Sequence, residues 1–364
     1  SDLDNSPKSI LLWRAIMQWL GGIGVIAMAI AILPLLRIGG MQLFRMESSD
    51  RSEKATPRTT QLVAYISFIY LGVSVICAFA YWAAGMSGFD AIAHAMTTIA
   101  TGGFSTYDGS IAHFESATIE YIGVVFMLIG SLPFVLYLRA LRGNTRSLLR
   151  DDQVRLFLLI VIVSIIAVAY YRYKMGVEID TALREASFNV VSIITGTGYA
   201  TADYGAWGSF GLMIFFFLMF VGGCAGSTTC GVKIFRFQVL YATAVTQIRR
   251  LLEPHGVYLA YYNRKPIPEE VSASVMAFFF LYVLSYAVIA VALGLIGVDF
   301  LTAASGAATA ISNVGPGLGP TIGPSGTFAT LPDGAKWVLS AGMLLGRLEL
   351  FTVLVLLLPS FWRD

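Results

Sequence analysis

Long uncharged runs alternate with polar connections along this chain, and shorter, glycine-punctuated apolar stretches sit between some of them. From 19 to 36 eighteen residues carry no charge, enough with their flanks for a helix to cross a bilayer, which takes ~20 apolar residues. Further runs at 64–86, 121–138, 156–171, 207–232, 271–298 and 337–359 bring the predicted spans to seven. The run at 156–171 is short, and Arg155 and Arg172 can snorkel at its ends. Gly21, Gly22 and Gly24 cluster on the first span, which permits close helix contact.

The shorter stretches have their own grammar. Residues 185–201 read EASFNVVSIITGTGYAT: an acidic start, about ten mostly apolar residues, then Thr195-Gly196-Thr197-Gly198-Tyr199. This is too short to span and too rich in glycine to continue as a helix. Non-helical backbone at membrane depth survives only where protein buries it or where it lines a watery cavity. The segment therefore reads as a short descending helix with an extended return strand whose carbonyls can face an ion. Two further copies align on their glycines: DAIAHAMTTIATGGFS ending around Gly103, and TAASGAATAISNVGPG ending around Gly315. Each copy lies between two spans, so the repeating unit is helix, re-entrant pore loop, helix. On that pattern the chain opens inside a unit, after a polar tail at 1–7 and with no signal peptide visible, and the first repeat is half missing.

Charge places these units in the bilayer. Arginines and lysines crowd 37–58, 139–155 and 233–265, whereas 59–138 has none and 266–346 has only Lys336. The positive-inside rule puts the basic connections in the cytoplasm and all three pore segments on the outer side. Like repeats then run parallel about one axis, unlike the inverted repeats of many transporters. Composition agrees: the chain is 57% hydrophobic and 13% charged, against ~25% charged in soluble domains. The three cysteines offer neither a disulfide framework nor zinc spacing, and no paired carboxylates or nucleophile with a base suggest an enzyme. His94, on a pore helix, reads as a packed or lumen-edge residue.

The candidate chemistry sits at two levels. Potassium-type selectivity uses backbone carbonyls in place of a hydration shell, and glycine lets the backbone aim them inward. The candidate filters are Ala100-Thr101-Gly102-Gly103-Phe104, Thr195-Gly196-Thr197-Gly198-Tyr199 and Ser312-Asn313-Val314-Gly315-Pro316. Pore-helix C-termini aim negative dipole ends at the same point, favouring a cation. Asp90, Asp180 and Asp299 fall at the helix starts, where capping is expected rather than a direct ion role. Deeper, the run at 207–232 contains Gly222-Gly223-Cys224-Ala225-Gly226-Ser227-Thr228-Thr229-Cys230-Gly231. That composition predicts an unwound intramembrane loop, a merely kinked helix being the alternative; it is no phosphate-binding loop, since Val232 separates its last glycine from the lysine. Arg347 lies about twelve residues into the last span, where a charge costs ~2.5–3.5 kcal/mol and faces a watery cavity or a partner. Aligning the second helices gives Gly21-Gly22, Gly130-Ser131, Gly222-Gly223 and Gly346-Arg347. Arg347 is expected beside the loop and below the filter, with loop carbonyls and hydroxyls as partners, or else paired with an acid; Glu349, two residues on, cannot face it on one helix.

MQWLGGIGV at 17–25, the three filters, GGCAGSTTCGVK at 222–233 and LLGRLE at 344–349 together resemble the TrkH/KtrB superfamily of potassium transporters, across essentially the whole chain. The resemblance implies an all-α membrane protein in which four non-identical repeats surround one pore. It implies a gate made by the intramembrane loop of the third repeat with the arginine of the fourth, here Gly222 to Gly231 and Arg347. It further implies a homodimer in the bacterial cytoplasmic membrane and a cytoplasmic nucleotide-binding regulator resembling TrkA. The expected units are 1–60 (the second helix of repeat 1 and a loop), 61–150 (repeat 2), 151–265 (repeat 3) and 266–364 (repeat 4). The expected function is potassium uptake with no cofactor, potassium ions as permeant substrate, and no nucleic-acid partner. A potassium/sodium pathway of low selectivity and a non-conducting scaffold are the alternatives. The basic stretches at 139–155 and 233–265 present a face for the regulator or carry ordinary positive-inside charge.

Overall fold

The computed structural model describes residues 2–31, 55–348, 350–356 and 359–362. Helix α1 (Lys8–Ala31) begins eleven residues before the uncharged run, because Pro7 pre-sets the first turn and its carbonyl accepts from the amides of Ile10 and Leu11. The expected basic connection with Arg37, Arg45, Arg51 and Lys54 lies outside the described residues. Next come α2 (Ala55–Ala83), the short α3 (Gly88–Ile99), α4 (Ala117–Ser131), α5 (Phe134–Leu141) and α6 (Arg146–Arg150). The following unit holds α7 (Asp152–Lys174), the short α8 (Ile179–Ile194), α9 (Gly208–Val221) and α10 (Ile234–Leu252). A two-residue hairpin pairs β1 (Tyr261–Tyr262) with β2 (Lys265–Pro266). Its turn residues Asn263 and Arg264 both have positive φ (46° and 62°), as a twist-matched tight turn requires. Then follow α11 (Glu269–Leu295), the short α12 (Phe300–Ser312), α13 (Gly319–Ile322), α14 (Asp333–Arg347) and α15 (Leu350–Leu356).

Four of the seven expected spans contain uninterrupted helices long and apolar enough to cross a membrane: α1, α2, α7 and α11. The other three, which all follow a short helix, are broken. The expected continuous return at 121–138 is instead α4 and α5, bent by 91° across Leu132 and Pro133. Proline offers no amide to the preceding turn and pushes the residue before it out of the helical region; Leu132 accordingly has ψ 156°. The helix at 207–232 stops at Val221, and the one at 337–359 stops at Arg347. Arg347 is thus the last residue of its helix, at the break within the expected span, where its charge meets the negative dipole end.

Packing repeats with the sequence. Each short helix contacts the outer and inner helices of its own unit: α3 with α2 and α4, α8 with α7 and α9, α12 with α11 and α14. Each also contacts the inner helix of the unit before it: α3 with α1, α8 with α4, α12 with α9. One contact rule applied three times is the signature of like units set around a common axis. The short helices are the most deeply buried elements and use small residues to get there: Ala303, Ala307, Ala308 and Ala310 line α12. The long helices instead expose large apolar side chains, among them Phe68, Val75, Ile76 and Phe79 on α2 and Phe280, Val283 and Val288 on α11. Apolar surface of that extent belongs against lipid.

Candidate functional site

The three short helices end alike. Each reaches a residue in the left-handed region (Thr101 φ 47°, Gly196 φ 69°, Asn313 φ 52°), and two residues later a left-handed glycine (Gly103 φ 73°, Gly198 φ 82°, Gly315 φ 115°). Alternating handedness turns successive carbonyls to one side, whereas an ordinary strand sends them to alternate sides. The amides turn the other way. Those of Gly102 and Gly103 donate to Thr97 O, and those of Thr197 and Gly198 to Ser192 O. In the last copy Val314 N donates to Thr309 O and Gly315 N to Thr309 Oγ1 at 2.9 Å. Thr97, Ser192 and Thr309 all stand six residues before the filter glycine, so a hydroxyl at fixed offset in each copy was the signal that sequence reasoning passed over.

The strands are neighbours in space. A Cβ on Gly103 would overlap the Thr197 carbonyl oxygen, and one on Gly198 would overlap that of Val314 and press on Pro316 Cδ. One on Gly315 meets only Gly198 Cα, at 3.8 Å. The inner helices approach equally closely from below: Gly130 beneath Ile99 O, and Gly346 beneath Ile311 O and the Asn313 amide. Asn313 Nδ2 donates to Met343 O (3.0 Å) and Ser312 Oγ meets Tyr282 Oη (2.7 Å). Residue Gln18 on α1, missed in the sequence, bridges the first strand. Its Nε2 donates to Gly102 O (2.7 Å) and its Oε1 accepts from Phe104 N (3.1 Å), while Arg14 lies 4.3 Å from the Phe104 ring. A lone amide in an apolar helix was the visible clue.

Behind the strands runs a polar network joining two units. The fully buried Tyr199 Oη lies 2.5 Å from Thr97 Oγ1, accepts from Thr98 Oγ1 at 3.4 Å and donates to His94 O at 3.3 Å. Tyr81 Oη reaches Thr98 Oγ1 at 3.0 Å. His94 is packed, with Nδ1 on Asp90 O (2.9 Å) and Nε2 on Ser105 Oγ (3.0 Å). Of the three aspartates expected to cap, Asp299 does, accepting from Thr302 N at 3.0 Å. Asp90 does not: Ser87 caps α3, and the Asp90 carboxylate accepts hydroxyls from Ser87, Thr106 and Tyr107. It ties the return strand to the helix start. Asp180 sits in the first turn of α8, after Glu178.

Residues 222–233 are non-helical between α9 and α10. Their polar groups bond mostly to other elements. Cys224 N donates to Ser131 O (3.1 Å), Phe134 N to Gly226 O (3.0 Å), and Ala225 N to Gln153 Oε1 (3.0 Å). Thr228 Oγ1 contacts Ile99 O and Gly130 O, both at 3.0 Å, and accepts from Thr101 Oγ1 at the same distance, so the loop touches the base of the first filter. Its two ends pinch together: a Cβ on Gly222 would overlap Cys230 O, and one on Gly231 would crowd Gly222. Arg347 Nη1 donates to Cys230 Sγ. The arginine reaches the loop as expected, but through a thiol and not the expected hydroxyls and carbonyls.

Two cations expected on the basic cytoplasmic face are buried instead. Lys233 curls back and donates from Nζ to Thr229 O. Arg236, 0% exposed, stacks 3.7 Å from the Phe278 ring and donates to Val232 O at 3.2 Å. Charge patterning alone could not separate these from solvated arginines, because a facing aromatic on α11 satisfies Arg236.

The profile of the TrkH family, described as cation transport protein, matches residues 1–363. The Trk system potassium uptake protein TrkI of Halomonas elongata is 52% identical over 363 residues, covering 100% of this chain and 74% of that protein. The Trk system potassium uptake protein TrkH of Vibrio parahaemolyticus is 39% identical over 372 residues, 100% of this chain and 76% of its own. The crystal structure of the potassium transporter TrkH from Vibrio parahaemolyticus superposes with a TM-score of 0.90 at 38% identity, covering 99% of this chain and 75% of that one. These relatives are transporters and not enzymes. With three like units, three matching pore-helix ends and this agreement along its length, the chain belongs to the TrkH family of cation transport proteins.

Proposed function

We propose that this chain conducts potassium ions across a bacterial cytoplasmic membrane through the backbone carbonyls of its three filter strands, and that the loop at 222–231 with Arg347 forms the gate beneath them. The observation carrying this reading is the paired left-handed positions with amides tied back to Thr97, Ser192 and Thr309, which holds the backbone of all three strands in one shape. Carbonyl oxygens so held replace a hydration shell without reorganising. Below them, the guanidinium of Arg347 beside Cys230 sets a positive charge in the ion's path, and the loop occupies the space between the inner helices. Opening requires the loop to leave, taking its bonds to Ser131, Gly130 and Gln153 with it.

The names of the relatives support potassium as the ion and a Trk-type regulated system as the setting. A cytoplasmic nucleotide-binding regulator and a homodimer complete the proposal, with the repeats bounded near 60, 150 and 265. Because Lys233 and Arg236 are buried, a regulator's contact falls to the arginines of 139–150. Reconstitution into liposomes tests the reading: a potassium-dependent flux that Gly198→Ser makes unselective supports it, and no potassium flux from well-folded protein refutes it.

A further inference from the structure

Away from the axis, the N-terminal end of α7, the face of α10 and the β-hairpin enclose a groove of about 580 Å³. One wall is apolar. Leu156 and Leu159 come from α7, Tyr241 and Val245 from α10. It does not stop at the groove's edge: Leu159, Ile162, Val163 and Ile166 stand exposed in succession along α7, one of the uninterrupted spans. A hydrocarbon chain seated in the groove therefore runs on into the lipid-facing surface. The other end is polar and positive. Arg155 and Arg249 both line it and both are exposed, and neither pairs with a carboxylate among the described residues. Arg155 uses only Nε, donating to Leu149 O at 2.6 Å. Asp152 is the one carboxylate in the lining. Between wall and cations sits an orphan. Gln238 Nε2 donates to Asp152 O at 2.7 Å, but its buried Oε1 has no hydrogen-bond partner among the described residues. A buried acceptor left unmade costs more than a satisfied one gains, so it calls for a donor.

We propose that this groove is a binding site for one anionic glycerophospholipid whose headgroup carries hydroxyls, as phosphatidylglycerol does. The phosphate lies between the guanidiniums of Arg155 and Arg249, a headgroup hydroxyl donates to Gln238 Oε1, and an acyl chain follows Leu156 and Leu159. Basic pockets beside spanning helices favour anionic headgroups, and each arginine near the surface contributes about fivefold in affinity. The occupant is a lipid and not a free anion, because the apolar wall continues into the exposed apolar residues of α7.

Native mass spectrometry of the purified protein, after exchange into mixtures of phosphatidylglycerol, phosphatidic acid, phosphatidylethanolamine and phosphatidylcholine, tests this. Phosphatidylglycerol should be retained preferentially. Arg155→Ala with Arg249→Ala should weaken retention by more than tenfold, and Gln238→Leu should erase the preference for phosphatidylglycerol over phosphatidic acid. Glycerol 3-phosphate should fail to compete at equal concentration. Equal retention of all lipids, an unchanged double variant, competition by the free headgroup, or a second copy of the chain crosslinking through Tyr241→Cys would each overturn the proposal. Potassium flux, assayed separately in each lipid, reports on conduction alone, so its failure is distinguishable from loss of the lipid.

Discussion

Two kinds of non-helical stretch interrupt the helices of this protein, the candidate filter strands and the loop at 222–233, and they are held in opposite ways. In each filter strand, amides turn back onto the hydroxyl-bearing residue of their own pore helix, Thr97, Ser192 or Thr309. Each strand's amides are satisfied largely within its own unit, and neighbouring units close on it glycine against carbonyl, with Gln18 on α1 bridging Gly102 O and Phe104 N of the first. In the intramembrane loop the bonds run to other elements: to Ser131 and Gly130 of the unit before, to Gln153 on α7 of its own unit, and to Arg347 on α14 of the unit after. A segment satisfied by itself keeps its shape when neighbours shift. A segment satisfied by its neighbours loses many partners in one concerted move. Glycine serves both, but in the filter it admits a carbonyl and in the loop it pinches a neck.

The largest test of that contrast is Gly198→Ser. At φ 82° a side chain costs ~1–2 kcal/mol in backbone strain alone, and its Cβ meets Val314 O. Discrimination between potassium and sodium should fall by about tenfold or more in liposome flux. Gly315→Ser, strained at φ 115° but meeting only Gly198 Cα at 3.8 Å, should fall short of that; equal effects would mean that backbone strain and not contact between strands is what matters. Next, Arg347→Ala or removal of three residues from within 224–229 should raise potassium flux severalfold. Normal or reduced flux from well-folded Arg347→Ala would count against the arginine as a barrier. Smaller still, Arg236→Met should lower stability by ~2 kcal/mol through loss of its contact with Phe278, read as a shift in the thermal unfolding midpoint. If regulator binding fell instead while stability held, Arg236 would belong to a docking face after all. The mildest is Tyr199→Phe, which removes one shared hydroxyl worth ~1 kcal/mol. It should narrow potassium/sodium selectivity only a few-fold, and no change at all would make the bridge between units ornamental.

The sequence carried the repeating unit plainly, because lipid demands uncharged runs and the filters demand glycine at fixed spacing. The loop showed through its glycines for the same reason. The 91° bend was concealed by hydropathy, which sums over residues 121–138 and weighs Pro133 like any other residue. Arg347 was placed inside a continuous helix because nothing in LLGRLE marks a helix end. Tyr199 was read as part of the filter backbone, and nothing local announces that its ring points backward into another unit. Gln18 and Arg236 needed partners distant in sequence, Gly102 and Phe278, before their polar groups made sense.

The neck at Gly222 and Gly231 has a consequence for how such proteins diversify. Where two ends of an excursion touch backbone to backbone, the residues between them are metrically uncoupled from the helices on either side. Closing a longer loop costs only ~0.6 kcal/mol per doubling of length, and α9 and α10 keep their register whatever is threaded through the neck. Descendants of this chain can therefore lengthen or shorten the loop by insertion and deletion without rebuilding a single spanning segment.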